Sequence, residues 1–420
     1  MTDSITIRCR ETTTAMSVVI IGTLDTKGEE IAFARDVVRS QGLDVHVVDT
    51  GVMGEPSIEP DTAADAVAAA ADTSLDELRA AGDRGAAIEA MRTGAAVVVD
   101  RLHAEGRVDG VLGLGGSGNT SIATGAMREL PLGVPKLMLS TVASGNTEPY
   151  VGVSDVMLMN SVVDVEGVNR ISEEIISNAA LAMVGMAANE SETTADSGPV
   201  VGITMFGVTT PCVKRARTYL EEQGYETVVF HANGTGGKAL ESLVREGIID
   251  GVLDVTTTEW ADEYVGGELS AGPDRLDAAA EIGVPQVVST GALDMVNFGP
   301  RETVPERFEG RRFHVHNPEV TLMRTTPEEN AAIGEIVAGK LNAASGPTAL
   351  ALPLQGVSML DVEGEDFYDP EADIELFDAL RTHLDGVQCI EMDVDINDEA
   401  FAKAIARRLD ELMRRAGKGP

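Results

Sequence analysis

The stretch Val108-Asp-Gly-Val-Leu-Gly-Leu-Gly-Gly-Ser-Gly-Asn-Thr120 decides the fold class. Val111 to Leu114 is an apolar run of strand length, and glycines with small polar residues follow before an alanine-rich helix predicted from about Ser121 to Glu129. Strand, turn and helix start therefore succeed one another directly. Gly115, Gly116 and Gly118 let the backbone approach a ligand closely, and the first N–H groups of a helix have no partner inside it. Such a place favours an anion, phosphate above all. The plainer reading is a turn that only lets a helix pack on a sheet, but Ser117, Asn119 and Thr120 are more than a turn needs.

Working outward, Val18 to Ile21 reads as the first strand, running into Gly22-Thr-Leu-Asp-Thr-Lys-Gly-Glu-Glu30 and a helix stopped by Gly42. Val45 to Val48 is the second strand, closed by Asp49-Thr-Gly51. Consecutive β-α-β units imply a doubly wound, mainly parallel α/β sheet with ligands at the carboxyl ends of its strands. The segment from Glu55 to Arg79 reads as an acidic helical excursion or lid, or as a solvated loop and helix. Residues 83–105 form a further helix leading back to the glycine strand.

The chain then repeats. Val18 to Gly22 parallels Val200 to Thr204; Val108-Asp-Gly-Val-Leu-Gly113 parallels Ile249-Asp-Gly-Val-Leu-Asp254; and Gly133-Val-Pro-Lys-Leu-Met-Leu-Ser-Thr141 parallels Gly283-Val-Pro-Gln-Val-Val-Ser-Thr290. Two similar Rossmann-like lobes are expected, over residues 17–190 and 199–420, with a leader at 1–16, a polar linker at 191–198 and a C-terminal βα extension. The glycine turn of the first lobe is replaced in the second by Asp254-Val-Thr-Thr-Thr-Glu-Trp260.

Asp and Glu number 69 against 32 Lys and Arg, a net charge of -37. A field of that sign repels nucleic acid and anionic membranes. Acidity spread along the chain, with few lysines, reads as the solvated surface of a halophilic cytoplasmic protein. Cys9, Cys212 and Cys389 show neither disulfide nor zinc spacing, and no apolar run approaches a membrane span. Anionic ligands must then meet local backbone dipoles and a few cations.

Gly113, Gly115 and Gly118 fit the dinucleotide spacing, yet the next strand ends in Ser140-Thr141 where an acidic ribose anchor is required. Gly234-Thr-Gly-Gly-Lys238 fails the phosphate-loop pattern because Ala239 follows. A mononucleotide site is the better expectation. Lys27 reads as a phosphate partner and Thr23 and Thr26 as donors, while Asp25 could hold a metal or orient a water; alternatively Thr26 caps the following helix. Asp49 either accepts from a ribose hydroxyl or caps. In the second lobe, His231 in a second glycine turn could act as acid or base with Glu259 as its carboxylate counterpart. Asp294, His316 and Arg324 complete a candidate catalytic set, His316 standing in a loop setting like that of His231 and Arg324 pairing with an anion or in a surface ion pair. Magnesium requires only one or two carboxylates plus phosphate oxygens, which the sequence permits.

Ile20-Ile-Gly-Thr-Leu-Asp-Thr-Lys-Gly-Glu-Glu30, Gly115 to Thr120, Phe230 to Gly237, Ser270-Ala-Gly-Pro-Asp-Arg275, Ala292 to Phe298 and His316 to Thr326 together resemble the UPF0261 family, the Tm-1-like ATP-binding domain proteins. The resemblance runs over residues 17–415. It implies two Rossmann-like lobes, ATP in the first and a tendency to form homodimers. The nucleotide contacts it implies are Gly22, Thr23, Asp25, Thr26, Lys27, Asp49, Gly51, Gly115, Gly116, Ser117, Gly118, Asn119, Thr120, Ser140, Thr141, Ser144, Gly145 and Asn146. Asn233 departs from a threonine expected in the second glycine turn. A further C-terminal domain of the family's plant member is not expected here, so no antiviral role is carried over. A binding protein with a second site in a cleft between the lobes, or a metabolic enzyme acting on a small phosphorylated or carboxylated substrate through His231, Glu259 and Arg324, are the functional expectations.

Overall fold

A computed structural model describes residues 16–189 and 198–420. The leader expected over 1–16 lies outside them but for Met16, as does the linker expected over 191–198 but for Gly198. The chain divides into two compact units, residues 1–193 and 194–420.

Unit 1 runs β1 (Ser17–Gly22), α1 (Leu24–Ser40), β2 (Asp44–Asp49), α2 (Ala64–Ala70), α3 (Leu75–Ala81), α4 (Arg84–Ala104), β3 (Gly110–Gly115), α5 (Ser117–Arg128), β4 (Lys136–Ser140), α6 (Glu148–Val151), β5 (Met157–Asn160) and α7 (Arg170–Ala187). The sheet is parallel throughout, in the order β2-β1-β3-β4-β5. Alternation along the strands feeds two faces. Val19, Ile21, Val111 and Met138 pack with α2, α4 and α5, while Val18, Ile20, Leu112 and Leu137 pack with α1 and α7. Strands buried on both faces explain why Val111 to Leu114 is continuously apolar.

Unit 2 runs β6 (Val200–Met205), α8 (Thr210–Glu222), β7 (Glu226–His231), α9 (Thr235–Arg245), β8 (Gly251–Thr256), α10 (Glu259–Val265), α11 (Asp277–Ile282), β9 (Gln286–Gly291), β10 (Met295–Phe298), β11 (Phe313–Asn317), β12 (Val320–Arg324), α12 (Pro327–Asn342), β13 (Thr348–Pro353), α13 (Pro370–His383), β14 (Gln388–Met392) and α14 (Glu399–Arg415). Its six-stranded sheet, β7-β6-β8-β9-β13-β14, repeats the unit 1 order and adds one strand. The repeat reaches single hydrogen bonds. Asp109 accepts from Ser17 N at 2.7 Å and Asp250 from Val200 N at 3.0 Å, each pinning the entry of a first strand to the strand beside it.

The structure corrects two expectations of local form. Helix α5 starts at Ser117, directly on the glycines, rather than near Ser121. Between β9 and β13 lies an antiparallel sheet, β10-β12-β11, absent from the expected parallel plan. Among the described residues no helix is long and apolar enough to cross a membrane.

Candidate functional site

A cavity of about 700 Å³ opens in unit 1 where β1, β2 and β3 end. The order 2-1-3 places a topological switch point between β1 and β3, the usual ligand crevice of such sheets. Of the eighteen residues implied as nucleotide contacts, Thr23, Asp25, Thr26, Lys27, Gly116, Ser117, Gly118, Asn119 and Thr141 line it.

Its charged end is built by two helix starts. No side chain caps α5, whose first internal bond is Thr120 N to Gly116 O at 2.9 Å. The N–H groups of Ser117, Gly118 and Asn119 precede that bond and have no partner in the helix. Gly115 makes the turn with φ +148, where any Cβ would lie 3.0 Å from the Asn119 Cβ. Asn119 holds the turn from below: it donates to Leu114 O at 2.6 Å and Ile21 O at 3.2 Å and accepts from the Thr50 hydroxyl at 3.0 Å. The α1 start contributes Lys27, which makes no ion pair with any described residue.

The opposite wall comes from residues 52–91, after β2 and into α4, where the sequence reading placed no ligand residues. It supplies Val52, Met53, Leu78, Ile88 and Met91, with Ile122 from α5, and two cations, Arg79 and Arg84. Arg79 donates to Val52 O at 2.5 Å. Arg84 has no ion-pair partner among the described residues. The carboxylates lining the same space are occupied: Asp25 accepts from Met53 N and Gly54 N, both at 3.0 Å, and Asp83 caps α4 through Gly85 N and Ala86 N. Arg79 also pairs with Asp76 at 3.8 Å, which leaves Lys27 and Arg84 as the lining cations outside any ion pair among the described residues, and these suit an anion in a chain where acids outnumber bases two to one. The signal for Arg79 and Arg84 was their rarity beside the Gly82-Asp83 helix boundary.

The other nine implied contacts do not line the cavity. Asp49 is buried, and its Oδ1 receives Leu24 N at 3.0 Å and Gly51 N at 2.8 Å in a capping arrangement; burial pushes its carboxyl above the ordinary range. Gly22 packs against Ile31 and Gly51 against Asp25, each at a spacing that admits no Cβ. Gly115 shapes the turn. Thr120 and Ser140 are buried and share a hydroxyl hydrogen bond of 2.7 Å. Ser144, Gly145 and Asn146 lie exposed in the turn after β4. Thr26 sits inside the first turn of α1, with Thr23 at the N-cap, and its hydroxyl meets that of Thr23 at 2.9 Å, so it is not the cap.

In unit 2 the candidate catalytic set divides: Asp294 and Arg324 share one buried cluster, and among the described residues no hydrogen bond or ion pair joins them to His231, Glu259 or His316. His231, at the exposed end of β7, stacks on Phe206 with ring centres 5.3 Å apart. Glu259 is fully enclosed and its partner is Arg275, at 2.7 Å; its other oxygen accepts from Gly234 N at 2.7 Å and Gly237 N at 3.0 Å. The second glycine turn is therefore filled by the protein's own carboxylate. Gly237 has to lack a side chain, since Glu259 lies against its Cα. Arg275 also grips Asp254 through two bonds of 2.6 and 2.7 Å and approaches Glu241 at 3.4 Å. His316 stands on the antiparallel β11, in a setting unlike that of His231.

Arg324 is buried, not a surface pair: it bonds Asp373 at 2.7 Å, Asp361 at 3.1 Å and Phe367 O at 2.8 Å. Asp294, also buried, accepts from Ser358 at 2.8 Å. Burial pushes Asp361 up to about 9, reinforced by Asp294 and Asp373 against the pull of Arg324, and pushes Asp294 up to about 6. The native cluster thus holds protons that an unfolded chain releases above roughly pH 4. Its contribution to stability is fully present below that pH and drains as pH climbs toward about 9. The urea midpoint of unfolding is expected to fall between pH 6 and pH 9, and Asp361→Asn to flatten the profile; a midpoint that rises over this window would contradict the assignment. Among the described residues no three His, Cys, Asp or Glu side chains gather as a metal-holding group.

The model of the UPF0261 N-terminal domain, described as an uncharacterised protein family, matches residues 16–192, and that of the C-terminal domain matches residues 198–413. A UPF0261 protein of Clostridium tetani is 52% identical over 400 residues, covering 95% of this chain and 99% of its own. The ToMV resistance protein Tm-1 of Solanum lycopersicum is 43% identical over 411 residues, covering 92% of this chain and 54% of that one. The solved UDP-N-acetylglucosamine 2-epimerase of Rickettsia bellii is similar over 65% of this chain and 79% of its own at 11% identity and a TM-score of 0.23, which carries no argument about ligand or fold. With both halves matched in order and a relative of this identity spanning nearly the whole length, the chain belongs to the UPF0261 family.

Proposed function

We propose that unit 1 binds ATP or a related nucleotide, with its phosphates at the starts of α5 and α1. The observation that carries this reading is the pairing, in one cavity, of an uncapped helix start with Lys27 and Arg84, cations that no described residue neutralises. The resemblance to Tm-1-like ATP-binding domain proteins supports the same ligand. A cavity of about 700 Å³ lies within the range of small-molecule and cofactor sites. Magnesium enters the proposal through phosphate oxygens, with Asp25, which lines the cavity and gives only Oδ2 to Met53 N and Gly54 N, the carboxylate of the α1 tip that would hold it; a cytoplasmic, homodimeric protein completes the proposal. The protein acts as a nucleotide-dependent binding protein, since Glu259, Asp294 and Arg324 are enclosed in ion pairs and hydrogen bonds and offer no open chemistry.

Millimolar ATP is expected to raise the melting temperature by RT ln(1 + [L]/Kd) of added stability, about 2.7 kcal/mol at a hundredfold excess over Kd. Gly116→Val combined with Lys27→Ala is expected to abolish the shift while leaving the unliganded transition in place. Gly116 has φ -82 and room for a Cβ, so the substitution blocks the cradle without straining the turn. No shift with the unaltered protein would refute nucleotide binding.

A further inference from the structure

Two of the six histidines stand two positions apart on β11, in Phe313-His-Val-His-Asn317. Alternation along a strand puts such residues on one face. β11 is an edge strand, and its register with β12 slips between Val315 and Asn317, so His316 is the extra residue of a bulge. Bulges at sheet edges commonly re-aim a side chain. Here the two imidazoles face each other, with ring centres 6.3 Å apart and 42° between their planes.

The two nitrogens of His314 have different tasks. Nδ1 lies 2.7 Å from Asp366 Oδ2. A carboxylate accepts there, so Nδ1 carries the hydrogen and Nε2 keeps its lone pair. Phe367, fully buried, meets the ring edge-on at 6.2 Å between centres and fixes its plane. A carboxylate on one ring nitrogen, with the other left as donor of a lone pair, is how proteins orient metal-binding histidines. His316 is exposed, and its imidazole makes no hydrogen bond or ion pair with any described residue, so it is free to turn. Imidazoles that share one ion, each through a nitrogen about 2.1 Å away, stand about 5 Å apart centre to centre, which leaves His316 about 1 Å to close.

We propose that His314 and His316 together bind a divalent transition-metal ion of the zinc, nickel or copper class, with Asp366 positioning His314. Imidazole suits these ions, whereas magnesium and calcium take oxygen ligands. Two side chains leave the other coordination positions to water, so the ion stays open to a further ligand. A net charge of -37 gathers cations near the surface without choosing among them; the imidazole pair supplies the choice. This site stands or falls independently of the nucleotide reading.

Calorimetric titration of the untagged full chain with zinc chloride tests it, with about 1 M potassium chloride and excess magnesium present to screen and occupy the acidic surface. Zinc is expected to bind in spite of the magnesium. His314→Ala and His316→Ala are each expected to weaken zinc by about tenfold or more, and Asp366→Asn by about tenfold, as for other groups that sit behind a metal ligand. His383→Ala, which removes an exposed histidine of α13 outside the pair, is expected to change nothing. His316 is exposed, so the urea midpoint of its variant should match the parent's, which separates a lost ligand from a lost fold. No zinc bound at about 1 mM, or zinc bound equally well by the parent and both histidine variants, overturns the proposal. Unweakened binding by Asp366→Asn overturns the positioning role of that carboxylate.

Discussion

Arg275→Met is expected to cost unit 2 roughly 3–5 kcal/mol, because it leaves Asp254, Glu259 and Glu241 buried against one another without their cation. Arg275 is held charged against its own desolvation by Asp254 first and Glu259 second. It is 1% exposed, so water cannot take its place. Trp260, the only tryptophan, lies buried in the adjoining α10 and reports the loss directly as a fall in the urea midpoint of its fluorescence. Adding Asp254→Asn and Glu259→Gln removes the stranded charges and is expected to restore part of the midpoint. A single variant as stable as the parent would show that the carboxylates are not charged in the native protein.

The second large effect is on the whole chain. A net charge of -37 makes the compact state repel itself, and screening shortens the reach of that repulsion from about 10 Å at 0.1 M salt to about 3 Å at 1 M. Raising potassium chloride from about 0.1 M to about 2 M is expected to raise the melting temperature by on the order of 10 °C. A flat salt profile would remove the expectation of a salt-adapted protein.

The parallel sheets were legible because their central strands are buried on both faces and so read as apolar runs closed by turn residues. The repeat was legible because the same backbone junctions, at Asp109 and Asp250, recur with the same neighbours. The helix start that lines the cavity at Gly116 to Asn119 followed from the glycines, whose backbone role depends on local sequence alone. The apolar wall of the cavity did not. Ile88 and Met91 belong to an ordinary amphipathic stripe, and only tertiary placement turns that stripe toward Gly118. The same limit explains Glu259 and Arg275, sixteen positions apart, whose contact is a property of packing. The antiparallel insert was missed because Met295 to Phe298 and Val320 to Arg324 are short runs whose pairing spans a long connection.

The two sheets share one strand order but differ at their rims. In one, the glycine turn is left open; in the other, Glu259 sits on the glycine turn and the insert of β10, β11 and β12 follows β9. The two copies of the module differ at this point: in one the glycine turn borders a cavity, and in its twin Glu259 accepts from the N–H groups of the turn. On the nucleotide reading proposed above, the expected stoichiometry is one nucleotide per chain, an asymmetric use of a symmetric plan.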